Sequence, residues 1–308
     1  MKAKKGIHYS KAKGLLNISG KNLNWTLVIG AGISSPLFPT WPDLIRSMFT
    51  DVYNSKDLSQ VNTIIESFPL DSILQSLKNY STLSDEEFTM RLSEILYKTL
   101  WDNLDSKDRK LIFRILANPI PGGLEDKIWG SYFEIMKDKY SNYSFYKVAE
   151  TLYSGYLKGI KPASIISFNA EPLLYATLAS LIREYYEGKK DNVEKRKQRL
   201  DIVTRSISST GEGRIPFYHI HGYLPVPYLN KKTKKSLESP DKLVFSETEY
   251  LNLANSNFSW QSSVFLHSSY SSNLIFLGLS FSDLNLRKWL SWTYSNRVKE
   301  IQQFNPTA

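Results

Sequence analysis

No cysteine occurs among the 308 residues. That absence excludes disulfide scaffolding, a cysteine nucleophile, iron–sulfur ligation and any thiolate zinc knuckle. Histidine is almost as scarce, with His8, His219, His221 and His267 forming the complete set. His219 and His221 stand two apart, which on a strand sends both side chains to one face and could clamp a metal. No further ligands accompany them, so no metal is expected. No apolar run approaches the roughly 18 to 20 residues that a membrane helix needs, so no membrane contact is expected either. The basic start MKAKKGIHYSKAKG has no apolar segment behind it and does not read as a secretory signal. The expectation is a soluble, cytoplasmic chain. The phosphate-loop signature of P-loop nucleotidases is also missing.

What is present is globular in character, with 42% apolar and 22% charged residues. The length suits one large domain, or one domain with a subdomain. The net charge of +9 invites a nucleic-acid reading until its location is considered. Lys2, Lys4 and Lys5 open the chain; Lys189 to Arg199 carries six cations and two anions; Lys231, Lys232, Lys234 and Lys235 follow. These three segments hold all of the net positive charge. Solvated loops explain them simply, while an anionic partner, or nucleic acid at one remove, is the alternative.

Periodicity predicts alternating strands and helices, interrupted once. Thr26 to Ile29 reads as a strand ending at Gly30. Pro42 and Asp43 open a helix. From about 58 to 157 the pattern is helical throughout, with a capping box at Ser84 and Glu87 and a helix over Asp108 to Ala117. The aromatics there read as core. Strands then return at 163–168, 215–221 and 273–277, with Leu243 to Phe245 short and extended. Ser246 and Glu249 cap one later helix, and another spans about Asp283 to Tyr294. The fold class expected is α/β, doubly wound and mostly parallel, with a helical insertion.

Four strand ends carry residues suited to a ligand, and each has an ordinary explanation beside it. Gly30, Ala31, Gly32, Ile33 and Ser34 follow the first strand, where free amides and a helix dipole would stabilise a pyrophosphate; such glycines also make simple turns. A dehydrogenase fingerprint is disfavoured, because Asp51 lies at the right distance but not at a strand end. Asn169 and Glu171 follow the second strand, and either could merely cap a helix. His221 stands beside Gly222 at the next strand end, a good position for a general base. Gly278, Ser280 and Asp283 follow the last strand, where Ser282 or Asp283 could equally cap a helix.

Together and in this order the four motifs resemble the sirtuin-like superfamily, in particular its bacterial branch of antiviral defence proteins. That branch begins GAG-I/V-S and continues P-S-W-x-x-L-L; here Gly30 to Ser34 precede Pro39-Thr40-Trp41-Pro42-Asp43-Leu44-Ile45. Its T-T-N-Y-D corresponds to Ser167 to Glu171, keeping Asn169 but with Phe168 and Ala170 as neighbours. Its K-L/I-H-G corresponds to Ile220-His221-Gly222. Its L-T-x-x-x-Y corresponds to the segment ending at Tyr250, and its G-Y-S-x-x-D to Gly278 through Asp283. The resemblance runs from about Lys21 to Trp292. It implies a basic segment at 1–20 before a sirtuin-like NAD-binding domain at 21–308, with the helical insertion at about 58–157.

The resemblance further implies an NAD glycohydrolase that cleaves the nicotinamide–ribose bond, with Asn169 and His221 catalytic. Gly30, Ala31, Gly32, Ile33, Ser34, Glu171, Gly278, Ser280 and Asp283 would bind NAD, as substrate and without a metal. It implies an effector of anti-phage defence, held in check by homo-oligomerisation or by a regulatory partner protein. Two alternatives stand beside it: an NAD or ADP-ribose sensor without turnover, and a nucleic-acid-binding subunit. Protein deacylation is disfavoured, since the four-cysteine zinc module of deacylating sirtuins is missing.

Overall fold

The structure is a computed structural model that describes residues 24–54, 58–119, 126–187, 200–203, 211, 213–227, 243–256 and 259–304. Its centre is a sheet of five strands, all parallel: β1 (Trp25–Ile29), β2 (Ser164–Ser167), β3 (Leu200–Val203), β4 (Ile215–His219) and β5 (Asn273–Leu277), in the order β3-β4-β2-β1-β5. β1 is buried along its whole length, as a central strand rich in β-branched and aromatic residues should be. It pairs with β2 on one side (Leu27 opposite Ile165) and with β5 on the other (Leu27 opposite Ile275).

Alternation along the strands divides the core in two. Leu27, Ile29, Ile165 and Phe217 point into one hydrophobic cluster, and Val28 and Ile166 into the other, with Phe265 and Trp289. Helices therefore cover both faces, which is the doubly wound α/β arrangement. Eleven α-helices lie among the described residues, besides a 3-10 turn at Ala31–Ile33. After α1 (Trp41–Tyr53), six fill positions 58–157: α2 (Leu58–Ser67), α3 (Leu70–Tyr80), α4 (Asp85–Asp102), α5 (Ser106–Ala117), α6 (Asp126–Tyr140) and α7 (Ser144–Leu157). Many of their aromatics are core, though Tyr80 is exposed: Tyr97 meets Phe38 edge-on at 5.3 Å, and the buried Tyr132 hydroxyl lies 3.2 Å from Thr177 Oγ1. Thr177 belongs to α8 (Leu173–Glu187), which follows β2 and docks the insertion on the sheet. The second face carries α9 (Glu247–Asn255), α10 (Trp260–Ser271) and α11 (Leu284–Phe304).

Both expected capping boxes form. The Ser84 amide donates to Glu87 Oε2 at 2.9 Å and the Glu87 amide to Ser84 Oγ at 3.3 Å, while Ser246 and Glu249 repeat the exchange on α9. Several boundaries differ from the sequence reading. α5 starts at Ser106, because Asp105 accepts from the amides of Lys107 and Asp108. α11 continues to Phe304. β3 is a strand that the periodicity missed. Residues 243–245 form no strand; instead the Val244 amide donates to the His221 carbonyl at 3.1 Å. The segment 1–20 and the basic segments 189–199 and 231–235 lie outside the described residues. Among the described residues, no helix is long and apolar enough to cross a membrane.

Candidate functional site

The order of the strands locates a crevice. The chain proceeds from β1 to β2 on one side, and later returns to place β5 on β1's other side. Ligands of open α/β sheets bind at such a reversal, outside the carboxyl ends of the strands. The loops after β1 and β5 meet there at very close range. The Gly30 amide donates to the Leu277 carbonyl and the Gly32 amide to the Gly278 carbonyl, both at 3.0 Å. A Cβ on Gly32 would stand 2.9 Å from the Gly278 oxygen, and one on Gly278, whose φ is +67°, would stand 2.6 Å from the Ile33 nitrogen. Loop-to-loop packing thus accounts for the glycines by itself.

The same bonds limit a phosphate cradle. The amides of Gly30, Gly32, Ile33 and Ser34 all donate within or between these loops. Of the five amides in the run, only that of Ala31 has no partner among the described residues. Ile33 puts its side chain into the core, so any contact it makes to a ligand would come from its backbone. On the opposite loop Ser280 is exposed, with its Oγ 2.7 Å from Ser282 Oγ.

Beneath the crevice lies a first polar cluster. Ser34 Oγ donates to Glu171 Oε1 at 2.6 Å, and Asn169 Nδ2 reaches the same oxygen at 2.9 Å and Ser34 Oγ at 3.3 Å. Glu171 Oε2 accepts the Leu173 amide at the start of α8. All three side chains are buried. Burial pushes the Glu171 carboxyl up to about 7, although its three donors pull in the opposite direction. Asn169 Oδ1 is left with no partner. Glu171, expected at the ligand, is occupied in tying three segments of backbone together.

A second cluster surrounds His221. Its Nδ1 lies 3.7 Å from Asp283 Oδ2 and 3.5 Å from the Tyr250 hydroxyl, while its Nε2 is buried without a partner. The imidazole packs edge-on against Phe168 at 5.0 Å, the residue beside Asn169, so one ring joins the two clusters. Burial lowers the imidazole's pKa below 6.5, and the Asp283 carboxylate opposes that shift. Burial, and next the Asp283 charge, hold the Tyr250 phenol well above its ordinary range. Asp283 was expected among nucleotide-binding residues. Its Oδ1 accepts the Leu286 amide at 2.7 Å, capping α11.

His219 and His221 do not share a face, contrary to their spacing. β4 ends at His219 and the chain then turns, with the Gly222 amide donating to the His219 carbonyl and Gly222 at φ +72°. That turn breaks the period of two. His219 stays on the insertion side, stacked on Phe217 at 5.2 Å with both ring nitrogens unpartnered, and burial lowers its pKa to about 4. His221 sits with Phe168 and Tyr250 on the other side. Among the described residues, no group of three His, Asp or Glu side chains could hold a metal ion. Tyr250 had no assigned role in the sequence reading. Two signals were available: Tyr250 closes the segment that corresponds to L-T-x-x-x-Y, and it stands four residues after the Ser246 cap.

A family model described as SIR2-like domain matches residues 179–304. The match spans most of α8 through α11, and so includes His221, Gly278, Ser280 and Asp283 but not Gly30 to Ser34, Asn169 or Glu171. No curated protein matches the chain. The likeness supports a sirtuin-like superfamily, in agreement with the parallel α/β sheet, and with it a function related to NAD.

Proposed function

We propose that this chain is an NAD glycohydrolase that cleaves the nicotinamide–ribose bond. The observation that carries the reading is a pair of buried polar atoms, His221 Nε2 and Asn169 Oδ1. Both lack partners, and they belong to neighbouring strand ends joined through Phe168. Buried polar atoms are nearly always hydrogen-bonded, so an unpartnered pair at the carboxyl edge of the sheet, where such folds bind ligands, supports a missing ligand or water.

The chemistry assigned to them balances. The C1′–N bond breaks, its electron pair neutralises the pyridinium ring of the leaving nicotinamide, and the ribose passes through an oxocarbenium-like state. Water adds at C1′ and gives its proton to His221 Nε2, which burial keeps unprotonated near neutral pH. Asn169 Oδ1 orients that water or a ribose hydroxyl. The Ala31 amide, at the head of the turn after β1, is the donor still open to the pyrophosphate, and Ser280 borders the adenosine side.

A second reading, binding of NAD or ADP-ribose without turnover, is favoured by one feature. The Asn169 amide is already engaged by Ser34 and Glu171, leaving a single open atom on that side chain. Incubation with NAD separates the two: nicotinamide and ADP-ribose appear together under the first, whereas calorimetric binding with NAD intact supports the second.

In this proposal the enzyme is the NAD-depleting effector of an anti-phage system, and it works in the cytoplasm. Such an activity is toxic, so the isolated chain is expected to be weakly active until self-assembly or a partner protein switches it on. The clustered charges at 189–199 and 231–235 would steer an acidic partner. Neutralising those lysines should weaken association and leave NAD affinity intact. Full activity in a monomer that no partner alters would contradict the regulatory part.

A further inference from the structure

We propose that Asp283 is a positioning residue for His221, with Tyr250 as its brace. In this arrangement the imidazole Nδ1–H donates toward Asp283 Oδ2 and keeps its proton, and the lone pair therefore remains on Nε2. The inference deepens the reading of His221 as a base, and its kinetic arm rests on that reading.

The geometry favours this role over nucleotide contact. A buried neutral imidazole carries one N–H and one lone pair, and the partner of one nitrogen decides where the other's function lies. Nδ1 faces Asp283 and Tyr250, whereas the buried Nε2 has no hydrogen-bond partner among the described residues. The carboxylate cannot swing freely, because its Oδ1 is fixed by the Leu286 amide at 2.7 Å and its side chain is only 14% exposed. Tyr250 interacts with the same carboxylate, and as a phenol held well above its ordinary pKa it remains a donor.

From every element packed around His221, the charged or titratable groups are few. Asp283 comes from the start of α11 and Tyr250 from α9, while Phe168 after β2 adds none. Behind Tyr250, Glu249 accepts the amides of Phe245 and Ser246, and Asp71 of α3 acts on Tyr250 only at longer range. The Nδ1 separations of 3.5 and 3.7 Å exceed a formed hydrogen bond, as is common at a base before substrate tightens the site.

The alternative is that Asp283 is a helix cap and nothing more. Asp283→Ser distinguishes the two, because a serine caps a helix comparably but its hydroxyl falls short of the imidazole. Asp283→Asn is the second variant, keeping shape and cap while removing the charge. The direct readout needs no activity: nitrogen NMR of the full chain with ¹⁵N-labelled histidine, His221 being assigned through His221→Ala. The expected result is an Nδ1–H tautomer in the native chain, with the acceptor at Nε2. Both variants should lower the His221 pKa and shift protons from Nδ1 to Nε2. In NAD cleavage, kcat should fall about 10- to 100-fold, part of the 10² to 10⁴ that a base supplies, with KM little changed and the acidic limb of the pH profile displaced downward. An Nε2–H tautomer in the native chain would overturn the proposal, as would folded variants with unaltered tautomer and pH profile. If NAD is never cleaved, the kinetic reading fails alone and the tautomer still decides the role of Asp283.

Discussion

The two polar clusters at the carboxyl edge of the sheet are built to opposite specifications. Around Glu171 the contacts are short and nearly saturated: three donors converge on one buried carboxylate, and they come from the β1 loop, the β2 loop and the start of α8. Around His221 they are long: the Tyr250 hydroxyl and the Asp283 carboxylate stand 3.5 and 3.7 Å from Nδ1, and the buried Nε2 has no hydrogen-bond partner. A saturated network fixes the backbone, because a buried polar group left without its bond is costly. A loosely held base with a vacant nitrogen can change partners during a reaction. In the proposed reading the first cluster supports the strand ends and leaves only Asn169 Oδ1 to the ligand, whereas the second transfers the proton.

The sharpest way to break this division is to remove each histidine in turn. His221→Ala should lower NAD cleavage by about 10² to 10⁴ while the protein still folds, as judged by circular dichroism and thermal melting. His219→Ala, on the opposite face, should lower stability and leave the turnover of the folded fraction intact. Equal losses of turnover in both variants would merge the two regions.

Next in size is a pH effect confined to the first cluster. Glu171 titrates at about 7 in the fold against an ordinary 4.5, so the native state holds a proton that the unfolded chain releases. Its stabilising contribution is present below pH 4.5 and is lost as pH rises through 7, a swing of about 3 kcal/mol. His219, lowered to about 4 from 6.5, works in the opposite sense: its contribution is present above pH 6.5 and is lost as pH falls through 4. Between pH 4.5 and 6.5 the two oppose each other. Glu171→Gln should therefore gain stability relative to the native chain on going from pH 4.5 to 7.5, and urea unfolding at both values measures it. A constant difference would mean that Glu171 is ionised throughout.

A smaller effect is expected where the loops meet. Gly278→Ala places a methyl group 2.6 Å from the Ile33 nitrogen at a left-handed φ, at a cost of about 1–3 kcal/mol. Because the β1 loop must shift, NAD affinity measured by calorimetry should fall as well. The smallest change is Ser280→Ala. Its hydroxyl is exposed and bonded only to Ser282, so stability should stay within about 0.5 kcal/mol. Any loss would appear in affinity for ADP-ribose and not in affinity for nicotinamide.

Much of this arrangement was legible in the order of residues. The glycines that end β1 and β5, the capping boxes at Ser84 and Ser246, and the hundred helical residues between β1 and β2 are local signals, and local physics fixes them. β3 was hidden because its four residues, Leu200 to Val203, follow directly on a basic run and offer too short a pattern. The faces of His219 and His221 were misread because periodicity assumes that a strand continues, and this one turns at Ile220. The role of Asp283 needed tertiary structure: a cap at a helix start reads the same whether or not a histidine 62 positions earlier in the sequence folds against it.

The central claim, that the His221 cluster cleaves NAD, is tested most directly by product analysis of one reaction. Purified protein, alone and in its assembled state, is incubated with NAD, and nicotinamide and ADP-ribose are quantified by chromatography beside His221→Ala. The native chain is expected to release equal amounts of the two products and the variant only a trace, with NAD still bound by both. Undiminished cleavage by a folded His221→Ala protein, or a native chain that neither binds nor cleaves NAD in any assembly state, would contradict it.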